Sequence, residues 1–109
     1  MTASVEFTEF LLEQLEPLTF IESNPFFGGT GISHKGVQFA MVMDNSLFLI
    51  VDDSTRDKYI RAGKKPFSYM TKNGKVNVRR YYEVPEGLIE DQEQLLSWAK
   101  ESIAIAKKA

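Results

Sequence analysis

The stretch Asn24-Pro25-Phe26-Phe27-Gly28-Gly29-Thr30-Gly31-Ile32 decides how the rest of the chain is read. Three glycines in four residues ordinarily mark a loop. Here two phenylalanines precede them and an apolar, strand-like run follows, so they belong inside the folded body. Glycine inside a strand pattern marks a bulge or a close approach of backbone. The spacing fits no phosphate cradle. A dinucleotide fingerprint needs another glycine where His34 stands, and a P-loop needs Gly-Lys-Ser/Thr where the chain has Lys35-Gly36-Val37. The segment is therefore read as a bulge or strand crossing at the junction of two strands.

Working outward, Phe7, Phe10, Leu11 and Leu15 recur at helical spacing among Glu6, Glu9, Glu13 and Glu16, and Pro17 ends the helix. Thr19 to Phe27 reads as a strand rich in β-branched and aromatic residues. His34-Lys35-Gly36 is a turn, and Val37 to Met43 and Leu47 to Val51 are strands joined by turn residues Asp44-Asn45-Ser46. The register across that turn stays open between a two- and a three-residue loop. Asp52-Asp53-Ser54 reads as a helix start, with the helix running to about Ala62 before Gly63 and Pro66. Phe67 to Met70 is a short strand, Lys72-Asn73-Gly74 a turn, and Lys75 to Val84 a longer strand stopped by Pro85. A last helix from about Ile89 carries Leu95, Leu96, Ala99 and Ile103 on one stripe, with Trp98 beside it.

The order α-β-β-β-α-β-β-α with tight turns predicts an α+β, two-layer domain over residues 1–109, its sheet five-stranded and largely antiparallel with helices. One detail bears on partners. In the 37–51 hairpin both alternating sets are apolar, Phe39, Met41 and Met43 on one side, Ala40 and Val42 on the other. A one-sided sheet would show polar residues on its open face. The second face is thus expected to be covered, by a helix of the chain or by a second subunit. This makes Phe48, Ile50, Ala40 and Val42 candidates for partner contact.

Composition excludes several chemistries. The 109 residues contain no cysteine and one histidine, so thiolate catalysis and zinc–cysteine sites are out and a histidine metal cluster is disfavoured. His34 precedes a glycine in a turn, and no nucleophile and acid can be assigned to it. Asp52 and Asp53 are read as caps in preference to Mg²⁺ ligands. No cofactor and no enzymatic activity are expected. Without a signal peptide or an apolar run of about 20 residues, the expected location is the cytoplasm.

The net charge of −2 hides a polarity. Residues 1–25 carry five acids and no base, whereas residues 56–80 carry nine bases against one acid, Asp57. Such a basic stretch can attract nucleic acid. The candidates are Lys72, Lys75, Arg79, Arg80 and Tyr81, where cations adjoin an aromatic ring. Strict alternation would put Val76, Val78, Tyr82 and Val84 on one face with Arg80, and Lys75, Asn77, Arg79 and Tyr81 on the other.

Several motifs in order carry a family resemblance: Phe27-Gly28-Gly29-x-Gly31-Ile32, Phe39-Ala40, Leu47-Phe48-Leu49 with Asp52, Arg56, Gly63, Pro66-Phe67-x-Tyr69, Gly74, Tyr81-Tyr82-x-Val84-Pro85, Leu88 and Trp98-Ala99. Together they resemble the N-terminal domain of the TfoX/Sxy regulators of bacterial natural competence, over roughly residues 10–106. The resemblance implies a secretion-chaperone-like fold and a regulatory role, promoting transcription of DNA-uptake genes together with the cyclic-AMP receptor protein or other transcription machinery. It implies no catalytic residues. Full-length members carry a second, helix–hairpin–helix domain that residues 1–109 do not include, so a stand-alone homologue or a fragment is expected. The family often has Met shortly before the tyrosine pair and Lys after the third strand, where this chain has Arg79 and Ile50.

Overall fold

The computed structural model describes residues 5–108. Helix α1 (Val5–Leu15) runs into a single 3-10 turn at Glu16–Leu18. Six strands follow in two groups: β1 (Ile21–Phe26), β2 (Gly29–His34), β3 (Val37–Met43) and β4 (Ser46–Ile50), then, after the short helix α2 (Arg56–Arg61), β5 (Pro66–Thr71) and β6 (Gly74–Glu83). Helices α3 (Glu86–Glu90) and α4 (Gln92–Lys108) close the chain. All strands are antiparallel in one sheet of order β1-β2-β3-β4-β6-β5.

The α+β class stands, with six strands in place of five. The added strand is β2, built from the glycine-rich stretch itself. What looked like a junction is a complete hairpin, turning at Phe27-Gly28 with φ of 44° and 82°. The next two hairpins repeat the device at Lys35-Gly36 (50°, 82°) and Asp44-Asn45 (50°, 62°). Positive φ at both central residues is the type I′ pattern, whose twist matches that of the flanking strands. The Asp44-Asn45 turn also settles the open register, because Met43 pairs with Ser46. A bulky residue in the left-handed region is uncommon, and Phe27 costs about 1–3 kcal/mol there.

One face of the sheet is covered by helices. Leu95, Ala99, Ile103 and Ala106 of α4 and Leu11 and Leu15 of α1 are buried against Ile32, Ala40, Val42, Leu47, Leu49 and Tyr82. The α4 stripe matches its sequence reading, but the helix starts later. Asp91 is extended and accepts from the Gln94 backbone N–H (3.2 Å) and side-chain amide (2.8 Å), which caps α4 and separates it from α3. Gln14 locks α1 to this corner, its Nε2 donating to the Ile89 carbonyl at 3.0 Å. Helix α2 is also shorter than expected. Asp52 Oδ1 accepts from Ser54 N, Ser54 Oγ and Thr55 N, forming a turn ahead of the helix, and those bonds hold its carboxyl below its ordinary pKa. Among the described residues no helix is long and apolar enough to cross a membrane.

Two irregularities change which side chains share a face. Between β2 and β3, Ile32 pairs with Ala40 but Ser33 with Gln38, so Phe39 is an extra residue. A bulge places it with Ala40 in the helix-side core, away from Met41 and Met43. Between β5 and β6, Pro66 pairs with Tyr82 but Phe67 with Val78. Strict alternation along β6 therefore fails: Val78 and Tyr81 come to one face, and Tyr82 and Val84 to the helix-side core.

Candidate functional site

The face opposite the helices carries its own apolar cluster. Met41, Met43 and Phe48 are buried there, with Phe26, Phe67 and Tyr81 packed against them. Cover comes partly from the sheet's own ends. Phe48 and Phe67 meet edge to face at 5.4 Å between ring centres, and Phe26 and Phe27 at 4.7 Å. Between these two groups an open cleft of about 490 Å³ remains. Met41, Met43 and Tyr81 line it from the central strands, Phe26 and Phe27 from the β1–β2 hairpin, and Phe67, Tyr69 and Val78 from β5–β6. No charged side chain is among these. A cleft of this size, dominated by aromatic and thioether groups, is of the kind that binds ligands or anchor side chains.

The glycines of β2 make this face possible. A Cβ on Gly29 would overlap the Val42 carbonyl oxygen and Met43 Sδ, and one on Gly31 would overlap the Gln38 carboxamide. Bare backbone at both positions lets Met43 and Gln38 lie across β2. Gln38 then donates from Nε2 to the Tyr81 hydroxyl at 3.1 Å. That oxygen's own proton remains able to donate. Burial pushes the Tyr81 phenol above its ordinary pKa, against the opposing effect of the Gln38 bond. Gly29 and Gly31 thus serve a close side-chain approach, and the register shift expected among them falls at Phe39 instead.

The candidate residues read from sequence separate into different environments. Ala40 and Val42 face the helices and are fully buried, and Ile50 is buried as well. Phe48 lies in the cluster beneath the cleft. In the single chain these four are enclosed. Exposed apolar groups on the strands and turns that border the cleft include Phe27, 88% accessible at the first hairpin turn, and Tyr69 and Met70 on β5; Phe20 and Ile60 are exposed elsewhere. Sequence reading named none of Phe27, Tyr69 and Met70 as a contact residue, although Phe27 and Tyr69 stand among the family motifs. For Tyr69 and Met70 the signal was available, as β5 was recognised, but its position at the sheet edge was not.

The nine bases of residues 56–80 divide as well. Arg56 pairs with Asp53 (2.6 Å), Arg61 with Asp57 (2.6 Å) and Lys58 with Glu101 (2.7 Å), Lys58 also lying 4.3 Å over the Trp98 ring. Lys64, Lys65, Lys72, Lys75, Arg79 and Arg80 form no ion pair with another described residue. All six lie on, or lead into, the β5–β6 hairpin. Tyr81, grouped with them in sequence, turns its ring into the cleft. His34 is half-buried at the end of β2. Burial, then the charges of Lys107 and Lys35, push its pKa down. Among the described residues no group of three or more His, Asp or Glu could hold a metal ion.

A family model, the TfoX N-terminal domain, matches residues 13–106. The chain belongs to the TfoX N-terminal domain family. The match spans all six strands and every residue lining the cleft. TfoX N-terminal domains are a regulatory family, not a known enzyme family. A comparison with curated proteins finds no match.

Proposed function

We propose that this TfoX N-terminal domain is a non-catalytic, cytoplasmic regulatory module that acts by binding a protein. Its role is in transcriptional control of the competence type, and its partner belongs to the transcription machinery, with the cyclic-AMP receptor protein the first to test. The observation that carries this reading is the uncharged aromatic cleft on the face opposite the helices, with Phe27 and Tyr69 exposed at its rim and Met70 exposed on the other side of the same edge strand as Tyr69. Exposed apolar surface of this kind, concave and rich in aromatic rings, supports protein contact. A second copy of the chain is one such partner.

The test is to purify the tagged chain from its own cells with and without nuclease, beside a Tyr69→Ala, Met70→Ala variant. The reading expects proteins that survive nuclease and are lost with the variant. Recovery of no protein after nuclease, or the same proteins with both chains, refutes it. A second reading, direct nucleic-acid binding through residues 56–80, is favoured by the six cations that have no acidic partner among the described residues. It expects affinity for DNA that falls steeply with salt as counterions are released.

A further inference from the structure

Among the described residues, strand β5 ends the sheet, pairing with β6 on one side and with no strand on the other. Its residues alternate between two different surroundings. Phe67 and Tyr69 line the cleft, and each pairs across the hairpin with a residue of the same face, Val78 and Val76. Ser68 and Met70 point the other way, opposite Asn77 and Lys75. The strand is also bracketed by charge, with Lys64 and Lys65 before it and Lys72 immediately after. No acid occurs between Asp57 and Glu83.

We propose that the outer edge of β5 is a docking site for an extended acidic peptide segment of a partner protein, added as a further strand, with alternate apolar side chains seated in the cleft. This rests on the protein-binding reading above and names the partner's chemistry. A strand paired to β5 places every second side chain beside Phe67 and Tyr69, over the cleft, where an aromatic or large aliphatic group fits. The intervening side chains fall beside Ser68 and Met70. From there Lys75, two strands away at about 9.5 Å, is within combined reach of its own side chain and a glutamate or aspartate. The segment therefore alternates apolar and acidic residues.

Charge selects this edge over the other. Strand β1 also borders the cleft through Phe26, but it contains Pro25, which interrupts the row of donors, and the acidic Glu22. Charge also favours a peptide over nucleic acid. The six cations that pair with no acid among the described residues sit on, or lead into, one narrow hairpin of a chain with net charge −2, and a cleft lined by Met, Phe, Tyr and Val brings no positive charge to a phosphate.

The experiment pans a phage-displayed random dodecapeptide library on the folded full chain and measures the enriched peptides, fluorescein-labelled, by polarisation. Enriched peptides are expected to be acidic, with apolar residues at every second position. Val78→Trp, which fills the cleft, should weaken them at least about tenfold, as loss of a buried anchor does. Lys72→Glu with Lys75→Glu should weaken them severalfold and flatten the dependence on salt. Tyr69→Ala, at an exposed position, gives the cleft test independently if Val78→Trp unfolds the chain. Basic peptides, peptides without the alternation, or peptides indifferent to all these changes overturn the inference. So does a fluorescein-labelled 20-nucleotide oligo-dT that binds more tightly than any peptide and is lost with the two lysine changes. No enrichment overturns this inference alone; the protein-binding reading falls only if the nuclease-treated purification also yields no protein.

Discussion

Gly29→Ala isolates the packing logic of the second sheet face. The new methyl would overlap the Val42 carbonyl oxygen and Met43 Sδ. A thioether can swing aside, but a backbone carbonyl held in the β3 ladder cannot, so β2 and β3 must part locally. Overpacking a well-packed site costs about 1–3 kcal/mol, and the backbone clash argues for the upper half, about 2–3 kcal/mol. Against this, replacing glycine removes freedom from the unfolded chain and returns about 0.4–1 kcal/mol. The net loss is about 1–2.6 kcal/mol, a large part of the roughly 5–15 kcal/mol that holds such a domain. Urea melts followed by Trp98 fluorescence report it, since Trp98 packs edge-on against Tyr59 at 4.7 Å. The midpoint should fall by about 1 M at an ordinary slope. Gly31→Ala is the control. There the methyl meets only the flexible end of Gln38, so stability should hold within about 0.5 kcal/mol even as Gln38 leaves Tyr81. A Gly29→Ala protein as stable as its parent, or a Gly31→Ala protein that loses as much, refutes the argument.

Two further outcomes test the helix-side core. The buried Ser102 Oγ donates to the Ile50 carbonyl at 2.8 Å, so Ser102→Ala should cost about 1–2 kcal/mol in the same melts, because the carbonyl is left without that donor. Tyr59 is fully buried with a hydroxyl that has no well-formed hydrogen bond, and burial raises its phenol above the ordinary value of 10.0. Above about pH 10 the unfolded chain loses this proton while the folded chain keeps it, so stability falls as pH rises. Tyr59→Phe should therefore be nearly neutral at pH 7 and should flatten the alkaline limb of stability against pH; an unchanged alkaline limb counts against a buried, neutral phenol.

Much of the fold was legible because its signals are local. The α4 stripe of Leu95, Ala99 and Ile103 reads directly from a 3.6-residue period, and the two-sided apolar pattern of β3 and β4 matches the buried clusters on both faces, although the second face is covered only in part, by the sheet's own end hairpins and by no helix of the described residues. The site was legible only in outline. Phe48 was read as a contact residue on an open face, whereas it lies buried beneath the cleft. Tyr69 and Met70 were overlooked as contact residues because a strand's sequence does not say whether it lies at an edge; that follows from β6 inserting between β4 and β5.

By itself, the sequence determined the family, the α+β class, the apolar demand of both sheet faces and the charge polarity of the chain. These rest on composition and short-range periodicity, which neighbouring residues set among themselves. Tertiary structure alone decided the face of Phe39 and the parity of side chains beyond Val78, because a bulge is fixed by the partner strand and extra residues change which faces are shared. It also decided what Gly29 and Gly31 are for. Their missing side chains have meaning only against Met43 and Gln38, residues that the β2–β3 pairing brings across the strand.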